Sequence, residues 1–142
     1  MMKKAVVLSI CGKQYYPGQD PEVIELVTDG TLEYRDGGWD ICYEESELTG
    51  MAGVTTTFRL EPGTVILERT GRLQSKMVFQ QGIPHESLYQ MEFGALMLTV
   101  CAQLIEATIG EQGGTVDLHY AIAIENNDAG LVEYHLEIRP KK

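Results

Sequence analysis

Short clusters of Gly, Pro, Asn and Asp break this chain at close intervals, and nothing else in the sequence limits its fold as strongly. The clusters are Tyr16-Pro17-Gly18, Asp29-Gly30, Asp36-Gly37-Gly38, Glu61-Pro62-Gly63, Gln81-Gly82, Gly110 to Gly114, and Asn126 to Gly130. Gly, Asn and Asp accept the positive φ of hairpin turns, and Pro presets the first turn position. The segments between them alternate with period two. Val116, Leu118, Tyr120, Ile122 and Ile124 face one way while Asp117 and His119 face the other. Val132, Tyr134, Leu136 and Ile138 oppose Glu133, His135 and Glu137 in the same manner. Val54, Thr56, Phe58 and Leu60 form a third such set, and Val65, Leu67 and Arg69 a fourth. Strands with one face in a core and one in water read this way. The pattern predicts an all-β fold of roughly eight to ten antiparallel strands, with little or no helix, as a sandwich or a barrel.

One segment resists the pattern. Across Phe93 to Ile109, Leu96, Met97, Val100, Cys101, Leu104 and Ile105 fall at the i, i+3, i+4 spacing of an amphipathic helix. Thr99, Val100, Thr108 and Ile109 favour strand, so the residues leave both readings open.

At 142 residues the chain can bury roughly 68–70% of its unfolded surface and needs neither metal nor disulfide to fold. Eleven Lys and Arg against 21 Asp and Glu give a formal charge of −10. Such a surface repels phosphate backbones, so nucleic acid and anionic membrane are not expected as partners. Cys11, Cys42 and Cys101 are odd in number and far apart, which reads as reduced thiols in a cytoplasmic protein. Lys3-Lys4 followed by Ala5 to Cys11 has the outline of a short leader, but bulky Ile10 stands where cleavage needs a small residue, and a first strand is the better reading.

Several stretches resemble the YwiB-like family of small bacterial proteins of unknown function. They are Asp40 to Gly50 running into Val54 to Thr57, Glu68-Arg69-Thr70-Gly71, Met77-Val78-Phe79, Tyr89 to Gly94, and Gly113-Gly114 before Leu118 and Tyr120. Gln14 and Gly18 followed by Ile24-Glu25-Leu26 fit as well. The resemblance implies one lipocalin-like, calycin-like up-and-down antiparallel barrel over residues 1–142, with Phe93 to Ile109 mainly strand. This chain departs from the family at Met91, where a small polar residue is expected.

A barrel of about eight strands is either filled by side chains or holds one small ligand. Alternation puts Glu45 and Glu47 on the side of Ile41 and Tyr43, and Arg69 on that of Val65 and Leu67. Charges facing a barrel interior must pair, so Arg69 either joins a carboxylate in a structural ion pair or fixes an anionic ligand. The first functional reading is a non-enzymatic binding module for a small apolar or weakly acidic molecule. Its candidate ligand-binding residues are Glu45, Glu47, Arg69, Phe58, Met77, Phe79, His85, Tyr89, Tyr120 and Tyr134. The second is a protein–protein adaptor with a filled barrel and an acidic outer face. The third is a small-molecule enzyme using Glu45, Glu47, Arg69 or His85. It has the least support, because no nucleophile elbow, phosphate loop or zinc-spaced cysteines occur. His119 and His135 would face each other, with Asp117 near Glu137, if the last hairpin pairs residues summing to 254, and would be separated at 256; a metal site is conceivable only in the first case. Neither a metal nor a cofactor is expected.

Overall fold

The structure, a computed structural model, describes residues 3–141. Ten strands follow in chain order: β1 Lys4–Tyr15, β2 Glu22–Arg35, β3 Gly38–Glu44, β4 Val54–Glu61, β5 Thr64–Gly71, β6 Ser75–Phe79, β7 Pro84–Met91, β8 Gly94–Gly110, β9 Gly113–Ile124 and β10 Asn127–Pro140. A single turn of 3₁₀ helix, Glu47–Thr49, lies between β3 and β4. All ladders are antiparallel between chain neighbours, and β1 pairs with β10, so the order around the sheet is β6-β5-β4-β3-β2-β1-β10-β9-β8-β7. The result is an up-and-down, nearly closed barrel.

The seam lies between β6 and β7, which do not ladder along their length. Gln74 and Gln90 exchange backbone bonds of 2.9 and 2.8 Å at one end. The Ser87 hydroxyl donates to the Lys76 carbonyl at 2.6 Å near the middle. At the other end the Gly82 amide reaches across to the Ala102 carbonyl of β8 at 2.8 Å. These few bonds satisfy backbone groups that a bare edge would leave open to pairing with another chain.

Turn chemistry accounts for most connections. Asp36-Gly37 (φ 50° and 79°) forms a two-residue turn between β2 and β3, as the Asp-Gly signal predicts. Asp29-Gly30, read as a turn from sequence, instead lies inside β2. Gly30 serves a close approach there: a Cβ would stand 2.7 Å from both the Cys42 carbonyl oxygen and the Leu8 side chain. The last hairpin turns at Glu125-Asn126 (φ 51° and 67°), earlier than expected, and a bulge between Asp128 and Gly130 shifts its register. His119 therefore faces Glu133 and His135 faces Asp117, so neither anticipated register holds.

From Gly94 onward the segment Phe93 to Ile109 is strand. β8 carries a bulge between Ala102 and Leu104. Leu98, Val100 and Ala102 point into the barrel before it, and Ile105 and Ile109 pack against the core after it. One extra residue switches the inward set from even to odd numbers, which imitates helical spacing. Phe93 sits in the β7–β8 turn, 98% exposed.

Candidate functional site

The barrel interior is divided along its axis. One half is packed solid with Leu8, Leu32, Ile41, Phe58, Leu67, Phe79, Val100, Val116, Leu118 and Leu136, all fully or nearly fully buried. The other half, bounded by the C-terminal ends of β1, β3 and β5 and the N-terminal ends of β2, β8 and β10, encloses a cavity of about 360 Å³. That volume lies at the low end of small-molecule sites. The barrel is therefore neither wholly filled nor wholly hollow.

Cross-strand pairing builds the polar part of the wall. Tyr43 pairs with Thr56, Thr56 with Arg69 and Arg69 with Ser75, so one row across β3, β4, β5 and β6 sets four polar side chains in an otherwise apolar interior. Thr56, Arg69 and Ser75 are 0%, 6% and 6% exposed. Tyr134 and Tyr120 enter from β10 and β9 and line the same cavity. Phe58 packs edge-on against Tyr134 at 5.7 Å, and Phe79 lies tilted against Tyr120 at 4.6 Å. The two phenylalanines belong to the solid half and back the tyrosines rather than line the cavity. Gly12, the register partner of Tyr134, leaves room for its ring: a Cβ there would lie 3.3 Å from Tyr134 Cε1.

Arg69 has few partners. Its Nη2 donates to the Tyr134 hydroxyl at 3.3 Å, a long bond, and its buried Nε has no acceptor. No carboxylate among the described residues forms a salt bridge with it. The ion pair anticipated with Glu45 or Glu47 is thus not formed. Glu45 is 7% exposed and lines the cavity, but its oxygens accept from the hydroxyls of Thr49 (2.9 Å) and Thr56 (2.6 Å). Glu47 lies beyond the end of β3, in the 3₁₀ turn, exposed. The expected shared face for Glu45 and Glu47 fails because the extended chain stops at Glu44.

Burial works against the charge on Arg69, while the oxygens of Tyr134, Tyr120 and Tyr43 favour it, and the net direction is upward, so it stays a guanidinium. Burial and the Glu45 carboxylate push the Tyr43 phenol up, and burial does the same to Tyr120. These phenols remain neutral hydroxyls that can donate hydrogen bonds. The site is consequently rich in donors around one fixed positive charge.

Of the residues singled out from sequence, Glu45, Arg69, Met77, Tyr89, Tyr120 and Tyr134 converge on the cavity. Phe58 and Phe79 support it from below, Glu47 lies outside, and His85 stands apart with Nε2 2.9 Å from Gln80 Oε1. Tyr43, Thr49, Thr56 and Ser75 were not singled out. Thr56 carried a signal, being the one hydroxyl in the inward set Val54, Thr56, Phe58 and Leu60. On the outer wall, Asp117 Oδ1 lies 2.7 Å from His135 Nδ1, and that hydrogen bond pushes the imidazole up. Among the described residues no group of three or more His, Cys, Asp or Glu is placed to hold a metal ion.

Fold and site together define a small antiparallel β-barrel with a buried guanidinium in a one-ended cavity. Residues 8–138 match the model of the family described as Domain of unknown function (DUF1934), and the chain belongs to that family. It is similar to the uncharacterized beta-barrel protein YwiB of Bacillus subtilis (strain 168), with 27% identity over 99 residues, 70% of this chain and 68% of that protein. The crystal structure of the B. subtilis YwiB protein superposes with a TM-score of 0.88 at 21% identity, covering 99% of this chain and 94% of that one. At that identity the likeness speaks for the fold. The function of the family is unknown.

Proposed function

We propose that this protein is a cytoplasmic, lipocalin-like binding module that holds one small, partly apolar molecule in the open half of the barrel, with an acidic group of the ligand on Arg69. The observation that carries this reading is the buried Nε of Arg69, which faces no acceptor while its side chain lines the cavity. A guanidinium withdrawn from water and left without a carboxylate is costly, and an incoming oxyanion offers the two-pronged acceptor it lacks. Met77, Leu98 and Ile122 supply apolar wall for the rest of the ligand. The adaptor reading rested on a filled barrel, and only half of this one is filled.

Calorimetric titration with octanoate and with octanol tests the proposal. Octanoate is expected to bind, and Arg69→Met is expected to weaken it by more than about tenfold, the usual scale for losing hydrogen bonds to a charged group. Octanol lacks the acid and should respond far less. Equal binding of octanoate by the variant, or no binding at millimolar concentration by octanoate or by its α-amino analogue, would overturn the reading.

A further inference from the structure

The cavity contains a second buried charge without an ionic partner. Glu45 is withdrawn from water like Arg69, and its oxygens accept from the hydroxyls of Thr49 and Thr56, with the Tyr43 phenol beside them and no cation among the described residues. A carboxylate has roughly four acceptor positions, so capacity remains on the cavity side. Its place relative to Arg69 follows from the strands. Thr56, which holds Oε2, is the direct cross-strand neighbour of Arg69. The hydroxyl that holds the carboxylate is thus rooted one strand spacing, ~5 Å, from the backbone of Arg69, and both charged side chains line the same cavity.

Building on the binding function proposed above, we infer that the ligand is amphoteric: an α-amino carboxylate with an apolar side chain, its acid on Arg69 and its ammonium on Glu45. Charge balance within the cavity selects this class. A dianion such as a phosphate monoester satisfies Arg69 but drives surplus negative charge against Glu45. A plain carboxylate satisfies Arg69 and leaves Glu45 unpaired. A zwitterion pairs both groups and adds no net charge, which matters for buried charges that are otherwise paid for by desolvation. Adjacent amine and acid on one carbon suit two charges that line one small cavity on either side of Thr56, whereas an amine at the far end of a chain would lie among the apolar walls.

The test is a matched series on one carbon skeleton: octanoate, α-aminooctanoate, ω-aminooctanoate and octylamine, titrated calorimetrically into wild type and Glu45→Gln. In wild type, α-aminooctanoate is expected to bind at least about tenfold tighter than octanoate, and ω-aminooctanoate weaker than either. In Glu45→Gln the ratio of the first two should fall toward one, with octanoate itself tightening as repulsion is removed. Thr56→Val, which frees Oε2, should lower the ratio too and serves if Glu45→Gln does not fold. Octanoate binding as tightly as α-aminooctanoate to wild type overturns the amphoteric ligand while leaving the binding function standing. A ratio that persists without Glu45 overturns its assignment as the ammonium site. If none of the four binds, the binding function itself fails.

Discussion

At the residue scale, Arg69 is poorly partnered for a buried charge. Its inward orientation was legible from alternation with Val65 and Leu67, because period two holds without interruption through β5. Its partner was not legible. Sequence offered Glu45 and Glu47, the acids of the inward-reading set, but backbone geometry ends β3 at Glu44 and gives Glu45 to two threonine hydroxyls. On the binding function proposed above, a buried cation without a carboxylate is a stability cost that the ligand offsets. Arg69→Met, similar in length and apolar, should therefore stabilise the ligand-free protein by ~1 kcal/mol, read as a higher urea midpoint at unchanged slope. A lower midpoint would mean that the Tyr134 contact contributes more than desolvation costs.

At the element scale, strand number and most turns could be read from the chain, while register could not. Two bulges are responsible. Each adds a residue that changes which side chains face inward, and no residue type uniquely marks the position. In β8 the bulge made a strand read as a helix, and in the last hairpin the early turn at Glu125-Asn126 together with the β10 bulge set His119 opposite Glu133 and not His135. The seam was equally invisible, because it depends on where the ladder from β5 through β6 stops and not on any local signal. Ser87 is its clearest hold, a buried hydroxyl on the Lys76 carbonyl. Ser87→Ala removes the donor and leaves that carbonyl unsatisfied, a loss of ~1–2 kcal/mol. Hydrogen exchange should quicken in β6 and β7 and stay unchanged in the β1–β10 ladder. Uniform acceleration across the barrel would show that the seam does not open independently.

At the scale of the whole molecule, the core and the charge act in opposite directions. The solid half of the barrel concentrates the apolar burial, and the open half contributes contact only along its walls. Against this stands a formal charge of −10 spread over a small closed surface. Self-repulsion of that kind destabilises the compact state, and the unfolded chain relieves it by expanding. The ion pairs of the outer wall pull the other way: Arg59 bonds Asp40 at 3.1 Å and Glu61 at 2.7 Å, and Lys141 bonds Asp29 at 3.0 Å. Exposed pairs contribute little, a median near 0–1 kcal/mol each, and 11 basic residues cannot neutralise 21 acids. Repulsion should win. Sodium chloride added at neutral pH should raise the melting temperature steeply at first, then level off as the screening length falls below ~10 Å near 0.1 M. A melting temperature that falls over the same range would assign the balance to the ion pairs, with Arg59 at their centre. Screening should also tighten octanoate, an anion approaching an anionic protein, while α-aminooctanoate, neutral overall, should respond much less. The same salt series thus measures the field of the molecule and the charge of what it accepts.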